Sequence, residues 1–138
     1  MKLLAYEVDK RSFLGVLNED ETWVYPVSAA GMEYRSMKDL IREAGPSEME
    51  MLDYISKKAP GDVMGAAPVD EIRVVSPIAE PDQDIICLGI NYMDHAEESA
   101  RFEKRAFEKP EKAIYFSKRV NRTNDPDGII PAHKNLTN

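Results

Sequence analysis

Short alternating apolar runs open this chain, and a helical period follows them. Lys2–Val8 and Phe13–Leu17 read as two strands separated by the polar turn "DKRS". "NEDE" makes the next turn, and "TWVYPV", Thr22 to Val27, reads as a third strand that ends, or lies at an edge, at Pro26. The period then lengthens. Met37, Leu40, Ile41 and Ala44 fall at i, i+3, i+4 and i+7, with Ser36 placed to cap the helix and Gly45-Pro46 to stop it. A second helix is predicted from Ser47, with Glu50 completing a capping box and Met51, Leu52 and Ile55 as its apolar stripe. Lys57 and Lys58 suit the negative end of its dipole.

Beyond this the pattern loosens. "APGDVMGAAPVDE" is rich in Pro, Gly and Ala and reads as a linker. Ile72–Val75, Ile85–Leu88 and Ala113–Ser117 read as strands, the second of them buried, and Tyr92 to about Arg105 is compatible with helix. "NRTNDPDG" is a loop, and Ile129-Ile130-Pro131 an extended piece. The predicted class is α+β. A small N-terminal domain over residues 1–65 is followed by strands and long loops over residues 66–138.

Composition and charge narrow the function classes. A 43% apolar content is enough for a packed core, which argues against disorder. The formal net charge of −7 argues against nucleic acid as a partner. No apolar run approaches the ~20 residues of a membrane helix, and the N-terminus has no signal-peptide pattern. With one cysteine, Cys87, inside an apolar strand, a cytoplasmic location is expected and a structural disulfide is not. The charge is uneven: Arg101 to Arg122 holds eight Lys or Arg against three Glu. That segment either draws in small anions or is a solvated helix face.

The candidate chemistry lies beside it, in "LGINYMDHAEE". His95 and Glu98 are three residues apart, so on a helix they would share a face. A carboxylate beside an imidazole fixes the tautomer and stabilises the protonated ring, as general-base chemistry requires. The same spacing also suits an exposed ion pair without function. It is no zinc signature, since His133 is distant. "NDPDG" lacks the remaining ligands of a calcium loop.

The longer string resembles the fumarylacetoacetate hydrolase family. Gly89, Asn91, Tyr92, His95 and Glu98 match its Gly-x-Asn-Tyr-x-x-His-x-x-Glu pattern. Pro110, Phe116 and Lys118, then Ile129, Ile130 and Pro131, continue the match. The resemblance implies a β-rich roll, of which residues 66–138 would be the first part, and a dimeric enzyme. Its substrates would be 2-oxo or 1,3-dicarbonyl acids, hydrolysed, decarboxylated or isomerised through an enolate on a Mg²⁺ or Mn²⁺ ion. His95 and Glu98 would be the acid–base pair on a lid, with Asn91, Tyr92 and Lys118 toward a small anionic keto acid. The family's metal is held by a Glu-x-Glu pair and a further Asp, and no Glu-x-Glu lies downstream of His95. The resemblance puts them beyond Asn138. The expectation is therefore an N-terminal portion, inactive alone and without its own metal site. The alternative is a non-catalytic module that pairs with another chain through unpaired edges at Ala113–Ser117 and Ile129–Ile130.

Overall fold

A computed structural model describes residues 1–89 and 112–132. The chain forms an α+β structure in two units. One unit comprises Met1–Ala79 and the chain from Thr123 onward, the other Glu80–Arg122.

The first unit is built on a five-stranded antiparallel sheet. Its strands are β1 (Leu3–Val8), β2 (Arg11–Leu17), β3 (Trp23–Pro26), β4 (Ala67–Pro68) and β5 (Arg73–Val75), in the order β4-β3-β2-β1-β5. The first hairpin is tighter than the sequence suggests. Val8 pairs with Arg11, leaving Asp9 and Lys10 as a two-residue turn with φ of 49° and 63°. Two successive left-handed residues match the strand twist, although Asn-Gly is the usual sequence for such a turn. β3 ends at Pro26, as expected of a residue with no N–H to donate. Ala67 and Pro68, from the stretch read as linker, pair with Val24 and Trp23.

The alternation along these strands produces two apolar faces. Leu3, Leu14, Val16 and Tyr25 lie on one face and pack with the helices α1 (Met37–Glu43) and α2 (Pro46–Ser56). Val16, Tyr25, Val27, Met37, Leu40, Leu52, Ile55 and Val63 form the buried core of this unit among the described residues. Each fully buried aliphatic side chain there contributes roughly 1.5–3 kcal/mol relative to exposure. The Tyr25 hydroxyl donates to the Lys58 carbonyl at 2.8 Å, tying β3 to the C-terminal end of α2.

The helix caps follow local chemistry. The Ser36 hydroxyl accepts from the Asp39 N–H at 3.1 Å, as the sequence predicts. The second cap shifts. α2 starts at Pro46, and the Glu48 carboxylate accepts from the Gly45 N–H at 3.1 Å, so Ser47 and Glu50 are not its capping pair. Proline suits a first helical position because its missing N–H would have no partner there. The stripes are also narrower than their apolar residues suggest. Ile41 is 62% exposed, at the edge of the arc centred on Met37, Leu40 and Ala44. Met51 is largely open to solvent because it lies about 100° around the helix from Leu52. Lys57, just past α2, reaches back to Asp53 at 2.6 Å, and this hydrogen bond holds the Asp53 carboxyl below its usual range.

Gly15 is required by a close approach on the opposite face. A Cβ there would lie 2.4 Å from Val24 Cγ2, 2.8 Å from Tyr6 Cε1 and 3.1 Å from the Tyr25 carbonyl. The bare backbone is what lets the Tyr6 ring lie across β2. Gly15→Ala is expected to destabilise the protein by about 1–3 kcal/mol through overpacking. Urea unfolding measures this, and unchanged stability would mean that Tyr6 swings away at no cost.

The second unit contains an antiparallel ribbon, β6 (Ile85–Gly89) and β7 (Ile114–Lys118). The expected burial of Ile85–Leu88 is not observed. Ile85, Ile86 and Leu88 are 41–69% exposed, and Ile114, Tyr115 and Phe116 on the facing strand are similarly open. An apolar run shows that a strand can be buried, but a two-stranded ribbon offers too little surface to bury it. Ile129 and Ile130 join no ladder among the described residues and are exposed.

Candidate functional site

Gly89, which opens the candidate string, is the last residue of β6. Ile114, its partner across the ribbon, opens β7. Asn91, Tyr92, His95 and Glu98 fall between these strands, outside the described residues, as does the helix expected from Tyr92. His133 to Asn138 also fall outside the described residues. Gly89 carries no positive φ, and a Cβ on it would meet Ile114 Cγ2 at 3.4 Å. Its backbone would therefore accept alanine.

Lys118 is described and exposed, at the far end of β7. The register pairs it with Ile85, while Gly89 pairs with Ile114. Lys118 is thus on the same face as Gly89 but at the opposite end of the ribbon, four residues along, or roughly 13 Å at the rise of a strand. Lys112, Arg119 and Arg122 are also among the described residues, and Arg122 lies 4.0 Å from Glu80. Cys87 is half-buried on the ribbon, its thiol 3.9 Å from the Ile85 carbonyl.

A polar clasp in the first unit holds together the points where residues 80–122 leave and return. The Thr123 N–H donates to the Ala79 carbonyl at 2.8 Å, and its hydroxyl donates to the Ile78 carbonyl at 2.8 Å. The Ser76 and Thr123 hydroxyls also hydrogen-bond each other. The Asp125 carboxylate accepts from the Ser76 N–H at 2.9 Å and from Arg73 at 2.7 Å. Arg73 also reaches Glu7, its partner across β1 and β5, at 2.8 Å. These two carboxylates, Glu7 first, push the Arg73 guanidinium still further up its high range. Asp125, part of the calcium-like "NDPDG" loop, is thus committed to a structural contact. The neighbouring turn is closed by the Gly128 N–H on the Asp125 carbonyl, with Asp127 left-handed at φ 61°. Sequence reading identifies the turn by its Asn-Asp-Pro-Asp-Gly composition. It does not identify the clasp, whose partners lie about fifty residues apart.

Asp125→Ala removes a charge-assisted bond and a backbone partner from this clasp. The Arg73 side chain is 61% exposed, so solvent weakens the ion pair. The expected loss is about 1–2 kcal/mol, mostly from the Ser76 N–H left without its acceptor. A double-mutant cycle with Arg73→Ala, read by urea unfolding, should show coupling. Strict additivity would deny that the two side chains act together.

Among the described residues, no three His, Cys, Asp or Glu side chains converge to hold a metal ion. Among them also, no helix is long and apolar enough to cross a membrane.

Comparison with known proteins gives an informative likeness. No protein-family model matches the chain. The chain is 26% identical over 147 aligned positions to the oxaloacetate tautomerase YisK of Bacillus subtilis (strain 168). The match covers 99% of this chain and 47% of the tautomerase, so the chain spans about half the length of that relative. Its sequence is therefore similar, from end to end, to part of an enzyme.

Proposed function

We propose that this chain is part of an enzyme of the fumarylacetoacetate hydrolase type that interconverts the keto and enol forms of a small 2-oxo diacid such as oxaloacetate. The observation that carries this reading is the likeness to an oxaloacetate tautomerase over 99% of the chain. The string from Gly89 to Glu98, starting where β6 ends, supports it.

The chemistry is a proton shift with no change in composition. A base removes a proton from the carbon beside the keto group, and the carbonyl oxygen gains one. His95 is the proton carrier, because its ordinary pKa near 6.5 lets it take and return a proton near neutrality. Glu98 orients the ring and stabilises its charged form. Asn91 and Tyr92 bind the substrate's oxygens. Lys118, exposed on the ribbon, adds to a positive field that draws the diacid in. Magnesium or manganese belongs to this reading through the family resemblance and would stabilise the enolate. No ligand set for it occurs among the described residues. Cytoplasmic location accompanies the proposal, since keto diacids are products of intermediary metabolism.

The test is the decay of the ultraviolet absorbance of enol oxaloacetate, followed with the full-length gene product in the presence of magnesium or manganese. Acceleration over buffer is expected, and none would overturn the assignment.

The exposed apolar ribbon favours a second reading, in which residues 80–122 serve assembly, including homodimer formation, without chemistry of their own. A sheet apolar on both faces is ordinarily covered on both. Sedimentation of the full-length protein distinguishes the two: self-association without any tautomerase activity would favour assembly.

A further inference from the structure

The second apolar face of the first unit's sheet does not pack on the helices. Tyr6, Phe13 and Pro26 of that face, together with Ser28, Ala29, Met64 and Gly65, line a cavity of about 400 Å³. That volume is within the range of small-molecule sites. Phe13 is 38% exposed and Met64 87% exposed, so the cavity communicates with solvent. Among the described residues, no charged side chain lines it.

One polar group in this lining is out of place. Tyr6 is only 2% exposed, and burial pushes its phenol pKa up. Its hydroxyl has no hydrogen-bond partner among the described residues, unlike the Tyr25 hydroxyl on the other face. Yet none of the described buried polar side-chain atoms is both sealed from solvent and unpartnered. The small residual exposure of Tyr6 therefore includes its hydroxyl, and Tyr6 is part of the cavity lining. Buried tyrosine hydroxyls usually find a partner. Here the place of that partner is open.

The ring's setting is fixed. Gly15 leaves room for it, and Phe13 stacks on it with centroids 5.5 Å apart and planes 29° from parallel. A rigid aromatic wall, mostly apolar sides, the Tyr6 hydroxyl and the exposed Ser28 describe the complement of a small neutral aromatic molecule with a polar substituent. A keto diacid would leave its carboxylates unpaired there, which burial strongly disfavours.

We propose that this cavity is a binding site for a neutral monocyclic aromatic of the phenol class, its hydroxyl paired with that of Tyr6. The site stands whether or not the chain takes part in keto–enol chemistry.

The test is titration of the ¹⁵N-labelled full chain with phenol and, separately, with toluene, at millimolar concentration. Phenol is expected to shift the amide resonances of Tyr6, Phe13, Ala29 and Gly65 in a saturable manner. Tyr6→Phe should weaken phenol about 2–10-fold, the worth of one neutral hydrogen bond, and leave toluene unchanged. Ala29→Leu, which adds bulk at another residue of the lining, should weaken both ligands and serves if Tyr6→Phe does not fold. Shifts that fail to saturate, or that are centred elsewhere, would overturn the site. Equal losses for phenol and toluene in Tyr6→Phe would overturn the role given to the hydroxyl. Unaltered phenol binding in a folded Ala29→Leu variant would place the ligand outside the cavity.

Discussion

His95→Ala is expected to lower the rate of oxaloacetate tautomerisation by ~10²–10⁴-fold, the usual contribution of a positioned acid–base group. The proposal puts His95 on a lid rather than in a core, so the melting temperature should hardly change. The pH profile provides a separate readout. A wild-type rate governed by an imidazole falls as pH drops below about 6.5, where the base becomes protonated. In the alanine variant that limb should disappear, and added imidazole should restore part of the rate. Glu98→Gln should have a smaller effect, since it removes the group that orients the base but leaves the base. A folded His95→Ala protein with wild-type turnover would show that the proton carrier is another residue. The resemblance to the hydrolase family would then supply a framework but not a mechanism.

Leu52→Ala is expected to cost about 2–5 kcal/mol, the range for a large-to-small change at a closed site. Leu52 has no exposed surface and lies in the cluster with Val16, Tyr25, Leu40 and Ile55. Each kcal/mol corresponds to about 4–8 °C in a unit of this size, so the melting temperature should fall by at least ~8 °C. The informative control is Met51→Ala. The two residues are neighbours and belong to the same apolar stripe when the sequence is read alone. Met51 is 44% exposed, however, and its loss should stay within about 0.5 kcal/mol. Equal effects of the two substitutions would mean that α2 is turned differently on the sheet.

The pair also shows where sequence reading runs out. Periodicity identified α2 and its apolar residues, but it could not rank Met51 against Leu52. Which of two adjacent apolar residues is buried depends on the direction from which the sheet approaches the helix. The same holds for Ile41, apolar and in phase yet mostly exposed, because α1 is only seven residues long and its flank is uncovered. Turn chemistry was legible where it was typical, as in Ser36 and the loop around Asp127. It was not legible at Asp9-Lys10, where the hairpin takes two left-handed residues without a glycine. The candidate site residues were legible only as an ordered string of residue types, and four of them, Asn91, Tyr92, His95 and Glu98, fall outside the described residues.

Local order in the chain was enough to determine the α+β class, the three-strand meander, the two helices and the Ser36 cap. Each rests on interactions among residues a few positions apart, which periodicity and capping chemistry record directly. The tertiary structure alone decided that β5 pairs with β1, that Arg73 and Asp125 close a clasp, and that Gly15 makes room for Tyr6. It also placed Tyr6 in the lining of a cavity. Those features join residues with no local relation, through contacts that exist only after the sheet has formed, so no pattern along the chain announces them.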